Sequence, residues 1–93
     1  MKPQAAQPSD EELDRLFRQL AQGGPEAEAA VTALYRHYRG PVLGHLHRGG
    51  LDQQAAEDVL HTVFIKLAQS SRQWRGDGSA NAWFWAIVRN AKI

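Results

Sequence analysis

The chain has 93 residues, of which 43% are hydrophobic and 23% charged, with a net charge of +1. This length bounds it to one domain with a modest core, and the composition is globular rather than disordered. It has no cysteine, which excludes disulfides and thiolate metal sites and suits a reducing cytoplasm. No apolar run approaches the roughly 20 residues of a membrane span, so no membrane insertion is expected, and Met1–Pro8 has no signal-peptide core.

Residues 1–8 read as a polar, Pro-containing lead that is expected to be flexible, and residues 9–93 as the domain. Ser9 is a predicted N-cap, with Glu12 three residues on to complete a capping box. Asp10 and Glu11 suit the positive end of the helix dipole. Leu13, Leu16, Phe17 and Leu20 follow at helical spacing, and Gly23-Gly24 ends this first helix. Pro25 then sits where a second helix tolerates proline. Its apolar face is Val31, Leu34, Tyr35 and Tyr38. Gly40-Pro41 interrupts the pattern, which Val42, Leu43 and Leu46 resume in about the same phase. That predicts one bent helix or two short collinear ones, ending at Gly49-Gly50.

Asp52 is the predicted cap of a third helix, whose stripe is Ala56, Val59, Leu60, Val63, Phe64 and Leu67. Glu57, Asp58, His61, Thr62 and Ile65 fall on the opposite face. Residues 70–79 are polar and Gly-containing, a loop longer than most helix–helix connections and of a length that is often functional. Ser79 is a fair N-cap for a fourth helix, with Trp83, Phe84, Ile87 and Val88 facing inward. Trp85, Arg89 and Lys92 share another side at i, i+4 and i+7. No alternating pattern argues for strands. The fold class is all-α, a compact bundle of three to four helices. The fourth helix is still in phase at Ile93 without a C-cap, so the chain is expected to be a fragment of a longer protein.

Charge is unevenly distributed. Residues 1–31 sum to −3, 32–51 to +3 through Arg36, Arg39 and Arg48, 52–71 to −2 and 72–93 to +3. The basic parts suit a polyanion. All three tryptophans, Trp74, Trp83 and Trp85, lie in the last window, with Phe84 among them and Arg72, Arg75, Arg89 and Lys92 around them. Aromatic faces beside cations are what a single-stranded nucleic acid requires: bases stack on rings and phosphates pair with cations. On composition alone, large core residues are the simpler account of the same cluster, since a tryptophan is most often a packing residue. By helical phase Trp83 belongs with the core, Trp85 is the best candidate for an exposed ring, and Trp74 is either a plug at the loop base or a pocket wall. His37, His45, His47 and His61 contain no His-x-x-x-His pair, so no metal site is read. Ser9, Ser70, Ser71 and Ser79 sit at caps or in the loop, where backbone hydrogen bonding explains them. No Gly-rich phosphate motif opens a helix, and no cofactor is called for.

Ala56-Glu57-Asp58-Val59-Leu60, then Val63-Phe64, Trp74, Arg75-Gly76-Asp77, Trp83-Phe84 and Ile87-Val88-Arg89-Asn90, resembles region 2 of extracytoplasmic-function (ECF) bacterial sigma factors. Leu34-Tyr35-Arg36-His37-Tyr38 followed by Val42 fits that family's second helix, so the resemblance covers roughly residues 10–93. It implies a non-enzymatic, cytoplasmic transcription initiation domain that binds the clamp helices of the RNA polymerase core. It further implies recognition and melting of the promoter −10 element through the non-template strand. Glu57, Asp58, His61, Thr62 and Ile65 would face the polymerase. Trp74, Arg75, Gly76, Asp77, Gly78 and Ser79 would form a base-capturing loop, and Trp85, Arg89, Asn90 and Lys92 would meet the promoter strand. An anti-sigma factor is a further implied partner. The family usually carries Gln-Glu where this chain has His61-Thr62, which removes a carboxylate from the implied polymerase face. The family's second promoter-reading domain, region 4, is absent from this sequence. The alternative is a sigma-like interaction module that binds polymerase or an anti-sigma factor without reading DNA. A small metal-dependent hydrolase is a weaker third reading.

Overall fold

The computed structural model describes residues 9–71 and 79–91, which form four α-helices: α1 (Asp10–Gln22), α2 (Pro25–Arg48), α3 (Gln53–Ser70) and α4 (Ala80–Ala91). The helix starts follow the local chemistry. The Glu12 amide donates to Ser9 Oγ and the Ser9 amide to Glu12 Oε1, each at 3.1 Å, which closes the capping box. Asp52 Oδ1 accepts from the Ala55 amide at 2.8 Å, and Ser79 Oγ from the Ala82 amide at 3.2 Å. Gly23 and Gly24 connect α1 to α2 with φ of 78° and 81°, angles that side chains other than glycine rarely adopt.

α2 runs unbroken through Pro41 for 24 residues, about 36 Å at helical rise, so the interruption expected at Gly40-Pro41 is not a break. A residue that precedes proline is normally pushed out of the helical region by its own Cβ, and Gly40 has none. Pro41 is exposed, while Val42, Leu43 and Leu46 beyond it are buried, so core packing holds the helix on both sides of the ring. The amides of Gly49, Gly50 and Leu51 close its end on the carbonyls of His45, Leu46 and His47.

The core is centred on three fully buried rings, Phe17 from α1, Tyr38 from α2 and Phe84 from α4. Tyr38 stacks on Phe84 with centroids 3.7 Å apart and planes 13° apart. Leu34, Leu46, Leu60, Val63, Leu67 and Val88 fill the space around them. Trp83 packs on this core from its rim, edge-on to Phe17 at 5.8 Å. Tyr35, expected on the inner face of α2, is instead 36% exposed. Leu34 and Tyr38 already fill the central sector, and position 35 is turned aside toward α3.

Tyr38 Oη donates to Asn81 Oδ1 at 2.7 Å, which satisfies the one polar atom that its burial strands. Burial, and secondarily the Asp10 carboxylate, raise its hydroxyl far above the usual phenol range. Burial lowers the neighbouring His37 from its ordinary value of 6.5. Tyr38→Phe should therefore keep the stack but lose the hydrogen bond, costing about 1 kcal/mol and lowering the melting temperature by about 4–8 °C. The unfolded chain holds the His37 proton more tightly than the folded one, so stability should fall as pH drops through about 6.5. Thermal melts of His37→Gln across the same range should show a flatter pH profile than the wild type.

Candidate functional site

Two separate faces gather the polar and aromatic residues that the core leaves over. The first lies between α2 and α3. Val31, Thr32, Tyr35 and Arg36 from one helix and Glu57, His61 and Phe64 from the other line a groove of about 500 Å³. Tyr35 stands edge-on to Phe64 at 5.3 Å. Ile65, one turn beyond His61, is 46% exposed, so an apolar side chain continues the groove onto the surface. Glu57 is already engaged: its Oε2 accepts from Arg39 Nη2 and from Gln53 Nε2, both at 2.8 Å. Of the residues expected on this face, the structure brings Glu57 and His61 into the groove. Asp58 and Ile65 are exposed on α3, and Thr62 is half-buried.

The residues that sequence reasoning missed here come from α2. Tyr35 was assigned to the core, Arg36 and Arg39 entered the sequence reading through the charge of their segment and, for Arg36, a motif, and Thr32 was not singled out. The available signal was the stretch from residue 32 to 51, which holds three arginines and no acid, opposite a third helix that carries Glu57 and Asp58.

The second face belongs to α4. Its first turn is pinned from three directions: the Ser79 hydroxyl caps it, the Ala80 amide donates to Asp14 Oδ1 of α1 at 3.4 Å, and Asn81 receives the Tyr38 hydroxyl. Ser79 thus has a structural task at the helix start. Arg89 and Asn90 are exposed further along. Trp85 departs from expectation. It is half-buried, not free, and edge-on to three rings: His45 at 5.6 Å, Phe84 at 5.8 Å and Tyr38 at 6.3 Å. The Trp85 ring thus reaches across from α4 to two side chains of α2, Tyr38 and His45. The remaining expected residues, Trp74, Arg75, Gly76, Asp77, Gly78 and Lys92, lie outside the described residues.

Among the described residues no group of three or more His, Cys, Asp or Glu side chains could hold a metal ion, and no helix is long and apolar enough to cross a membrane.

A family model described as Sigma-70 region 2 matches residues 34–93, which takes in most of α2 and all of α3 and α4. The RNA polymerase sigma-H factor of Pseudomonas aeruginosa is 28% identical over 82 residues. That alignment covers 88% of this chain and 41% of the relative, so the chain spans less than half of the relative's length. No solved structure matches the chain.

The Arg39–Glu57 pair is 46% and 34% exposed on its two side chains, and such pairs are worth only tenths of a kcal/mol. Arg39→Ala should therefore change unfolding stability by less than about 0.5 kcal/mol in a denaturant titration.

Proposed function

The chain belongs to the Sigma-70 region 2 family, and from that membership we propose that it is the region 2 domain of an ECF-type sigma factor. In this reading it acts in the cytoplasm, docks on the clamp helices of the RNA polymerase core through the α2–α3 groove, and presents α4 and the segment before it to the promoter −10 element. The observation that carries the reading is the groove. Tyr35, Phe64 and Ile65 offer apolar surface, and Glu57, Arg36 and His61 ring it with charge and hydrogen-bonding capacity. An apolar groove with a polar rim is what an amphipathic helix lays one face into. His61 supplies an imidazole ring where the family usually has glutamine, and Thr62 a hydroxyl where it has a carboxylate. Contact on this face therefore leans on shape and on Glu57 and Asp58.

On the α4 side, Asn90 offers a donor and an acceptor to a base edge, and Arg89 a cation to a phosphate. A base held out of the stack costs a few kcal/mol. Residues 74–78, with two glycines that let backbone amides approach closely, are the segment proposed to repay that cost. Trp74 contributes a stacking face worth about 1–3 kcal/mol.

The half-buried position of Trp85 favours a second reading, because it leaves one ring fewer for bases. In that reading the domain binds polymerase or an anti-sigma factor without reading DNA.

Both are tested by measuring binding to polymerase core, and then binding of the core complex to a labelled non-template −10 strand. Ile65→Glu should weaken core binding about tenfold or more, since it buries a charge in an apolar contact. Asn90→Ala and Trp74→Ala should leave core binding intact and weaken strand binding by about tenfold. Equal strand affinity in the wild type, Asn90→Ala and Trp74→Ala would remove the DNA assignment. Core binding without any strand binding would establish the second reading.

A further inference from the structure

The two flanks of α2 serve different neighbours. Thr32, Tyr35, Arg36 and Arg39 fall on the flank toward α3, where they line the groove or pair with Glu57. His37, Pro41, His45 and Arg48 follow one another along the other flank at helical spacing. His45 on that flank touches Trp85 of α4, and two turns earlier Tyr38 touches Asn81, Phe84 and Trp85. Trp85 is therefore shared by Tyr38 and His45, which ties the C-terminal half of α2 to the middle of α4. Arg48 lies one turn past His45, and Arg89 one turn past Trp85; both are exposed.

Arg48 is not occupied in closing its own helix. The last carbonyls of α2, those of His45, Leu46 and His47, take the amides of Gly49, Gly50 and Leu51. The guanidinium instead lies back along the helix, with Nη1 3.4 Å from the place where a side chain at Gly44 would begin. A glycine in a helix interior costs about 1 kcal/mol relative to alanine, and at position 44 it leaves room for that seat. Among the described residues no carboxylate pairs with either Arg48 or Arg89. From residue 32 to 51 there is no acidic residue at all.

We propose that the C-terminal end of α2 belongs to the nucleic-acid face: Arg48, seated over Gly44 on the flank that His45 joins to Trp85, holds a backbone phosphate of the DNA that α4 meets. This rests on the proposed reading of α4 as a DNA-contacting helix and extends it to a second helix. The ligand chemistry is a phosphodiester oxygen accepting from a guanidinium. Such a contact fixes the position of the strand and carries no sequence information.

The test is a salt titration of the complex between the chain and polymerase core, with two labelled probes: a non-template −10 single strand, and a duplex that carries the same element. Arg48→Gln and Arg48→Lys are compared with the wild type. Arg48→Gln should lower affinity by about threefold to tenfold, to the same degree for matched and scrambled −10 sequences. It should also reduce the slope of log affinity against log salt by about 0.9 on duplex or about 0.7 on single strand. The probe that shows the change identifies which form supplies the phosphate. Arg48→Lys, which keeps the charge, should retain most of the affinity and the slope. Unchanged affinity and slope in Arg48→Gln on both probes, with the wild type binding normally, would overturn the inference and leave the proposed function standing. Absence of DNA binding by the wild-type complex would overturn both together.

Discussion

The structure depends on one buried contact, the stack of Tyr38 on Phe84. Each ring is fully buried, their planes are nearly parallel, and they come from two different helices, α2 and α4. The ring faces supply apolar and dispersion stabilisation, and the hydroxyl adds direction by donating to Asn81 in the first turn of α4. That single side chain therefore sets both the distance between α2 and α4 and the register at which α4 begins. Phe17 and Trp83 bring α1 against the same junction, and Phe64 brings α3, at 5.7 Å from Phe84. In a domain of this size, where burial is barely sufficient for independent folding, four helices sharing one aromatic junction is an efficient use of few large residues.

The junction also explains how one helix serves two faces. Tyr38 faces straight into the core, so the residues on either side of it along α2 are turned toward opposite neighbours. Tyr35 and Arg39 come to rest against α3, and His45 against Trp85 of α4. Continuity through Pro41 matters for this division. A break there would free the second half of α2 to rotate, and His45 would lose its fixed relation to Trp85. Gly40 removes the clash that would force such a break, and the buried Val42, Leu43 and Leu46 hold the second half in phase with the first.

Helix starts were legible in the sequence because capping is local chemistry: Ser9 with Glu12, Asp52 with Ala55 and Ser79 with Ala82 each act within three residues. The stripe of α3 was legible for the same reason, since its period needs no knowledge of the partner. Tyr35 and Trp85 were not. Both lie at the edge of an apolar stripe, where the outcome depends on how closely a neighbouring helix approaches. Periodicity cannot report that distance. Tyr35 was displaced outward into a groove by the packing of Leu34 and Tyr38, and Trp85 was drawn inward by the rings of Tyr38 and His45. The family was legible through motif order from α3 to α4, and the match over residues 34–93 bears it out. The contribution of α2 to either face left only a compositional trace, three arginines without an acid.

Helix ends add a last electrostatic constraint. The N-terminus of a helix attracts anions through its free amides and its dipole, so the start of α4 is the place where a phosphate would be drawn by default. In this fold that place is taken: Asp14 accepts from the Ala80 amide, and Ser79 from the Ala82 amide. The acidic α1 thereby completes α4 and at the same time sets a carboxylate where a polyanion would otherwise settle. Cationic side chains are concentrated at the opposite ends instead, Arg48 on α2 and Arg89 on α4, where the dipole favours positive charge. Stability and the proposed recognition then pull the same way. Arg48 and Arg89, at helix ends that prefer cations, have no carboxylate partner among the described residues, and on the proposed reading the phosphates of a strand are drawn to these side chains rather than to the amides that open α4.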